Sequence, residues 1–284
     1  MKIKTYGYRG ITDQITRIEE GFVKLGHEII NDIHDADIIY INDRTFEDIS
    51  VLVNTNGKKI FNVLDIPIFA LTKSDLNKWG FFLNHADVVT CISNTVRDDI
   101  KKYFNINAKT IYNPSKDVFH IKKEDKIPRM LFVGRANEPT KRFNLIKSFF
   151  KYYNLDEKKI LNVCGTENPN FGNYCGILSD EELNKQYNSC DVVLSPSSFE
   201  GLGLPMIEAI ICKKMPICCK DNITAHEFLP DWFLCDPNIS SINEKIRDYY
   251  KIRDKYDIVI EKLSEEYKKQ FNKAEIAKNI LRLV

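Results

Sequence analysis

Short apolar runs alternate with helical patterns along this chain, and the alternation starts twice. Lys2 to Tyr8 reads as a strand and Thr12 to Leu25 as a helix, with Ile15, Ile18, Phe22 and Leu25 on one face and Gly26 as its terminator. Asp37 to Ile41, Lys59 to Leu64, Ala86 to Ile92 and Ala108 to Tyr112 follow as strands, with helices over Trp79 to Leu83 and Thr95 to Phe104. A charge cluster from Lys122 to Lys126, closed by Pro128, reads as a linker. The pattern then restarts with strand Met130 to Val133, a helix from Arg142 to Tyr153, and strands Ile160 to Cys164 and Tyr174 to Ile177. Asp180 to Asn188 is a helix with Ser179 as cap and Glu182 at capping-box spacing. Strands Asp191 to Leu194, Pro216 to Cys219 and Trp232 to Cys235 come next, and from Ser241 the chain is mostly helical, ending in Ala274 to Leu283. Strands that alternate with helices require a parallel sheet covered on both faces. The expectation is an α/β protein of two successive units: a domain over 1–126, a second over 127–265, and a C-terminal helix over 266–284 that can pack back on the first.

Composition narrows the classes of function. With 284 residues at 43% hydrophobic the chain can bury a sizeable core, and a net charge of +1 gives no electrostatic pull toward nucleic acid. No apolar run reaches the length of a membrane span, and Met1 to Lys4 leads straight into a strand with no leader pattern. The eight cysteines form no Cys-x-x-Cys pair, which argues against zinc. Several lie in or beside apolar runs, as buried reduced thiols do, and this fits a cytoplasmic location. Asp35 and Asp37 precede a strand rather than follow one; they read as a solvated turn, not a metal pair.

Chemistry concentrates at strand ends. Leu194 to Pro216 runs from a strand through small polar residues and the glycine pair Gly201 and Gly203 to Pro205, which opens a helix bearing Ile207, Ile210 and Ile211 on one face. A helix start offers free N–H groups to an anion. Glu200 precedes the glycine loop and should face a ligand. Glu208, read as lying in the first helical turn, can accept ribose hydroxyls or complement the helix dipole. Gly134 and Arg135 follow the first strand of the second unit, and Lys141 lies on the loop that opens the next helix, an arrangement suited to a diphosphate. Gly7 and Gly10 bracket the corresponding turn of the first unit.

These residues resemble the retaining glycosyltransferases of group 1, relatives of sucrose and glycogen synthases and bacterial mannosyltransferases. The resemblance rests on Leu131 to Arg135 with Lys141 to Ile146. It also rests on Gly176, Ser179, Glu182, Leu183, Tyr187 and Asp191, then Pro196-Ser197, Glu200 to Pro205, and Glu208-Ala209. It is looser in the first half, at Gly26-His27-Glu28, Ile92-Ser93 and Tyr112-Asn113-Pro114. The resemblance implies the GT-B fold: two Rossmann-like α/β domains with a cleft between them, the N-terminal one shortened. It implies that Arg135 and Lys141 hold the diphosphate of a UDP- or GDP-linked sugar, with Glu208 on the ribose. Glu200 and the backbone of Gly201, Leu202 and Gly203 would meet the sugar, and Ile177 would lie beside the base. Gly10 and Gly134 would let backbone approach the phosphates. Glu200, Arg135 and Lys141 would carry the transfer, without metal or cofactor, to a carbohydrate or glycoconjugate acceptor. Peripheral contact with a membrane surface is compatible with such an acceptor.

Two departures bear on this reading. Leu64 stands where the family often has a histidine that touches the donor sugar, leaving only Asp65 of that pair. Lys214-Met215 replaces a glycine common before the later strand. The competing reading is a nucleotide-sugar-binding or scaffold protein without catalysis. A nicotinamide dehydrogenase is disfavoured, because no Gly-x-Gly-x-x-Gly follows the first strand.

Overall fold

A computed structural model describes residues 1–7, 14–42, 55–66, 72–115 and 129–283. The chain divides into two compact units, Met1–Pro114 with Gln270–Val284, and Ser115–Lys269. Gly10 and the expected linker lie outside the described residues.

The first unit runs β1 (Lys2–Gly7), α1 (Gln14–Lys24), β2 (Glu28–Ile29), β3 (Ile38–Asn42), β4 (Lys58–Val63), α2 (Lys73–His85), β5 (Val88–Cys91), α3 (Asn94–Phe104) and β6 (Lys109–Thr110). Its strands form one parallel sheet in the order β2-β1-β3-β4-β5-β6. Side chains alternate across the sheet, so Ile3, Tyr40 and Ile60 share the face that meets Ile15, Ile18 and Phe22 of α1. Tyr40 meets Phe22 edge-on, with centroids 6.2 Å apart. The helix α2 is longer than the apolar pattern predicts. Its start is defined by a capping box between Thr72 and Asp75, ahead of any apolar face. Asp37 accepts the Lys2 backbone N–H at 2.7 Å and Asp35 pairs with the Lys2 ammonium at 3.8 Å, so both acids brace the turn before β3.

Toward the carboxyl end of this sheet the α1 face turns polar. Asn42 follows the β3–β4 register that places Ile41 beside Phe61, so its neighbour is Asn62, and Thr90 donates to Asn62 Oδ1 at 2.8 Å. Both amide atoms of Asn42 are buried without a hydrogen-bond partner. An unpaired buried polar group costs about 1–3 kcal/mol. Asn42→Leu is therefore expected to raise stability by about 1–2 kcal/mol in urea denaturation; a loss of stability would show that the amide is satisfied by bound water.

The second unit runs β7 (Met130–Val133), α4 (Phe143–Tyr152), α5 (Glu157–Ile160), β8 (Leu161–Cys164), β9 (Asn173–Gly176), α6 (Asp180–Ser189), β10 (Val192–Ser195), α7 (Leu204–Ile211), β11 (Met215–Cys218), α8 (Ile223–Phe228), α9 (Ile239–Lys251) and α10 (Arg253–Gln270). Its sheet is parallel throughout, in the order β11-β10-β7-β8-β9. The segment Trp232 to Cys235 is not the strand the apolar pattern predicts. Asp231–Phe233 is a 3₁₀ turn, and Cys235 alone bridges Cys219. The cause is packing: Trp232 and Phe233 both lie against Tyr256 of α10, at 4.6 and 5.1 Å between centroids.

The last helix, α11 (Lys273–Leu281), belongs to the first unit and packs on α1. Ile276, Ala277 and Ile280 enter the core beside Phe22. The approach depends on Gly21, where a Cβ would lie 2.4 Å from the Lys273 carbonyl oxygen. All eight cysteines are free thiols, and no described helix is long and apolar enough to cross a membrane.

Candidate functional site

The carboxyl edge of the second sheet has backbone rather than side chains at its centre. Gly134, Gly165 and Gly176 stand at the ends of adjacent strands β7, β8 and β9. The Gly134 N–H donates to the Cys164 carbonyl at 2.9 Å and the Gly165 N–H to the Gly176 carbonyl at 3.0 Å. A Cβ on Gly165 would fall 2.1 Å from the Gly134 oxygen, so only glycine fits. Gly176, at φ 76°, then turns the chain into Ile177, whose side chain is 60% exposed.

Two loops meet beside this edge. From β7, the chain passes Arg135 and a 3₁₀ turn at Pro139–Lys141 before α4. From β10, it passes Ser197 and Glu200 to the glycine loop and α7. The Ser198 N–H and hydroxyl both donate to the Thr140 carbonyl, at 2.8 and 3.3 Å. Lys141 then reaches Glu200, its ammonium lying 2.7 and 2.8 Å from the two carboxylate oxygens. These side chains are 18% and 11% exposed, so the pair is shielded without being sealed. An ammonium has three N–H donors; two suffice for Glu200, and one is left for a ligand. The helices beginning at Phe143 and Leu204 both lack a side-chain cap. The Leu145 N–H turns back to the Arg142 carbonyl and the Met206 and Ile207 N–H groups to that of Gly203, so what each start offers an anion is its foremost N–H, that of Phe143 or Leu204. Gly203, the residue before α7, has φ 77°, which aims the loop; Leu202 beside it is buried and Gly201 half-buried.

Arg142, on the boundary of the 3₁₀ turn and α4, holds φ 51°. That left-handed conformation costs a non-glycine residue about 1–2 kcal/mol. A fork from the Arg142 guanidinium to Asp221 holds it, with Nη1 2.8 Å from Oδ1 and Nη2 on Oδ2. The guanidinium holds the Asp221 carboxyl below the usual carboxylate range. Below Glu200, Thr224 donates its hydroxyl to the Glu200 carbonyl oxygen at 2.6 Å.

Lys141, Glu200 and the glycine loop are thus brought together as the sequence suggests, and Gly134 stands at the neighbouring strand end. Arg135 takes a different partner: its guanidinium pairs with Glu138, on a half-exposed surface. Glu208 requires correction. The helix begins at Leu204, with Pro205 in its second position, so Glu208 lies beyond the first turn and does not complement the helix dipole. It is 4% exposed and accepts a hydrogen bond from the Tyr187 hydroxyl of α6 at 2.9 Å. Burial first, and the Glu208 charge second, push the Tyr187 phenol well above its usual range, so it remains a donor. Tyr187→Phe is expected to cost about 1.5–3 kcal/mol, the range for a hydrogen bond to a charged group, measured by urea denaturation. An unchanged midpoint would mean that Glu208 is held by other groups.

Sequence reasoning missed the Arg142–Asp221 fork and the Thr224 hydroxyl. Neither has a local signal, since 79 residues separate the first pair and 24 the second. Among the described residues, no group of three or more His, Cys, Asp or Glu side chains is placed to hold a metal ion.

Known proteins bear on this geometry. The O-antigen chain mannosyltransferase RfbU of Salmonella typhimurium is 28% identical over 69% of this chain and 64% of its own length. The O-antigen chain mannosyltransferase B of Escherichia coli is 35% identical over a shorter part, 23% of this chain and 17% of its own length. The chain thus spans less than two thirds of the length of these relatives. Among solved structures, Anabaena HepE in complex with UDP and glucose superposes with a TM-score of 0.78 at 15% identity, covering 99% of this chain and 98% of that one. The sucrose-phosphate synthase of Thermosynechococcus elongatus gives 0.70 at 15% identity, over 96% and 77%. The two parallel Rossmann-like units are those of the GT-B glycosyltransferases. The profile of the family "Glycosyl transferases group 1" matches residues 114–270, more than half of the chain and all of the Lys141–Glu200 corner. The chain belongs to the glycosyl transferases group 1 family.

Proposed function

We propose that this glycosyltransferase moves a sugar from a nucleoside-diphosphate sugar to a hydroxyl of a carbohydrate or glycoconjugate acceptor, with retention of anomeric configuration and without a metal ion. The observation that carries the reading is the Lys141–Glu200 pair, set between two uncapped helix starts at a sheet edge floored by glycine. As the bond to the sugar breaks, negative charge builds on the leaving diphosphate. The free N–H of Lys141 and the helix starts at Phe143 and Leu204 meet that charge in fixed positions, which is more effective than recruiting solvent. Arg135, whose guanidinium is more than half exposed while its partner Glu138 is partly buried, adds a second cation. These cations do the work that a divalent ion would otherwise do, and turnover should survive a chelator.

Glu200 and the backbone of Gly201, Leu202 and Gly203 orient the donor sugar. Glu208 accepts the ribose hydroxyls alongside the Tyr187 bond, because a carboxylate has about four acceptor sites. Ile177 packs its exposed side chain against the base. Gly10, after β1, is assigned to the phosphates. The acceptor hydroxyl attacks on the face the diphosphate leaves, so no enzyme nucleophile is invoked. Eight free thiols support a cytoplasmic location.

HepE was crystallised with UDP, and RfbU is named as a mannosyltransferase, so both UDP- and GDP-linked donors belong in the test. Thermal unfolding is measured with UDP, GDP and their glucose and mannose derivatives. Binding at a hundredfold excess over Kd should stabilise by about 2.7 kcal/mol. The product's anomeric configuration is then read by NMR. No shift with any nucleotide overturns the donor assignment. Binding without any turnover favours the non-catalytic alternative that Leu64 raises.

A further inference from the structure

We propose that Asp221 and Thr224 are positioning residues that together set the Lys141–Glu200 pair. The inference rests on the donor reading above and adds to it the device that fixes the site's geometry. Asp221 lies on the corner between β11 and α8 and Thr224 in the first turn of α8, three positions apart. Asp221 holds Arg142 by a two-point fork, and Arg142 immediately follows Lys141. Thr224, buried, holds the backbone carbonyl of Glu200 at 2.6 Å. One short segment therefore grips the chain next to the cation and the chain of the carboxylate.

The corner is itself rigidly mounted. The Lys220 N–H donates to the Cys235 carbonyl at 2.9 Å, and the Asn222 N–H to the Cys219 carbonyl at 3.1 Å. His226 Nε2 lies 2.7 Å from the Lys220 carbonyl oxygen and Nδ1 2.7 Å from an Asp231 carboxylate oxygen. Two acceptors around one imidazole favour the doubly protonated ring, which braces the corner from both sides. The arms differ in what they govern. The Asp221 arm keeps Arg142 in its left-handed turn, so losing it frees the backbone beside Lys141 and weakens the grip on the diphosphate. The Thr224 arm fixes the height of Glu200, so losing it disturbs the sugar while leaving the diphosphate contacts in place. Two-point recognition by guanidinium is also why lysine cannot replace Arg142 here.

The test uses the full chain with ¹⁵N-labelled lysine. The Lys141 ammonium signal is assigned through Lys141→Arg, and its unpaired position is calibrated with Glu200→Gln. Asp221→Asn and Thr224→Val are each expected to move the signal toward the Glu200→Gln position, while Thr224→Ser restores the wild-type one. In parallel, UDP and GDP binding is measured calorimetrically, and hydrolysis of their sugars is followed. Asp221→Asn should weaken nucleoside-diphosphate binding by about tenfold, as expected for loss of one charged hydrogen bond. Thr224→Val should lower kcat for hydrolysis by a similar factor while nucleoside-diphosphate affinity stays unchanged. If the wild type binds no nucleoside diphosphate, the donor reading fails and the ammonium signal alone decides the positioning role. If Asp221→Asn leaves that signal in place, the proposal is overturned whatever the nucleotide data. Asp221 is partly exposed, so this variant is expected to fold and decides the question even if Thr224→Val does not.

Discussion

Lys141→Ala is expected to abolish the stabilisation that a nucleoside diphosphate confers and to lower turnover by about 10²–10³-fold, the range for removing one preorganised charge-stabilising donor. The reasoning starts from the pair itself. Glu200 is 11% exposed and faces the ammonium at 2.7 and 2.8 Å. Removing one partner of a shielded pair leaves the other charge without compensation, which costs more than the pair gained by forming. The unliganded variant should therefore also lose about 1–3 kcal/mol of stability. The two effects separate by a double variant. Lys141→Ala with Glu200→Gln should recover most of the stability but none of the binding. Thermal unfolding with and without UDP or GDP measures both, and a nucleotide shift retained by Lys141→Ala would remove this residue from the phosphate site.

Gly165→Ala should be the most damaging single substitution at the sheet edge, with an expected loss of about 3–5 kcal/mol. The added methyl would sit 2.1 Å from the Gly134 oxygen, and the obstacle is backbone, which has no alternative rotamer. Relief requires β7 and β8 to separate where the Gly134 N–H binds the Cys164 carbonyl. Since Gly134 leads into the loop that carries Lys141, the surviving folded fraction should also bind nucleoside diphosphate more weakly. Urea denaturation and calorimetric titration report the two losses independently. Wild-type stability would mean that the strand ends shift apart without cost. The contrast with Asn42→Leu is instructive: a methyl against backbone destabilises, whereas apolar atoms in place of an unpaired amide should stabilise.

Much of the fold was legible because its signals are local. Strands β7, β8 and β10 follow from largely apolar runs closed by glycine or small polar residues, and α6 from the Ser179–Glu182 box that the structure forms. The strand predicted at Trp232 failed for a non-local reason, the aromatic packing on Tyr256. At the site, Glu200 was recognisable as an acid after a strand and Lys141 as a cation on the loop that opens a helix, and their loops follow from Gly134 and Gly203.

What the sequence by itself determined is the doubled α/β plan and the placing of Lys141, Glu200 and the glycine loop on loops that follow strands. These depend on periodicity and on glycine conformations, which neighbours in the chain decide. Only the tertiary structure decided where the charges point. It turned Glu208 inward to Tyr187, drew Arg142 to Asp221 and seated Glu200 on Thr224. Those choices pair groups from separate loops, and the distance between loops is set by sheet order and helix packing rather than by any local pattern.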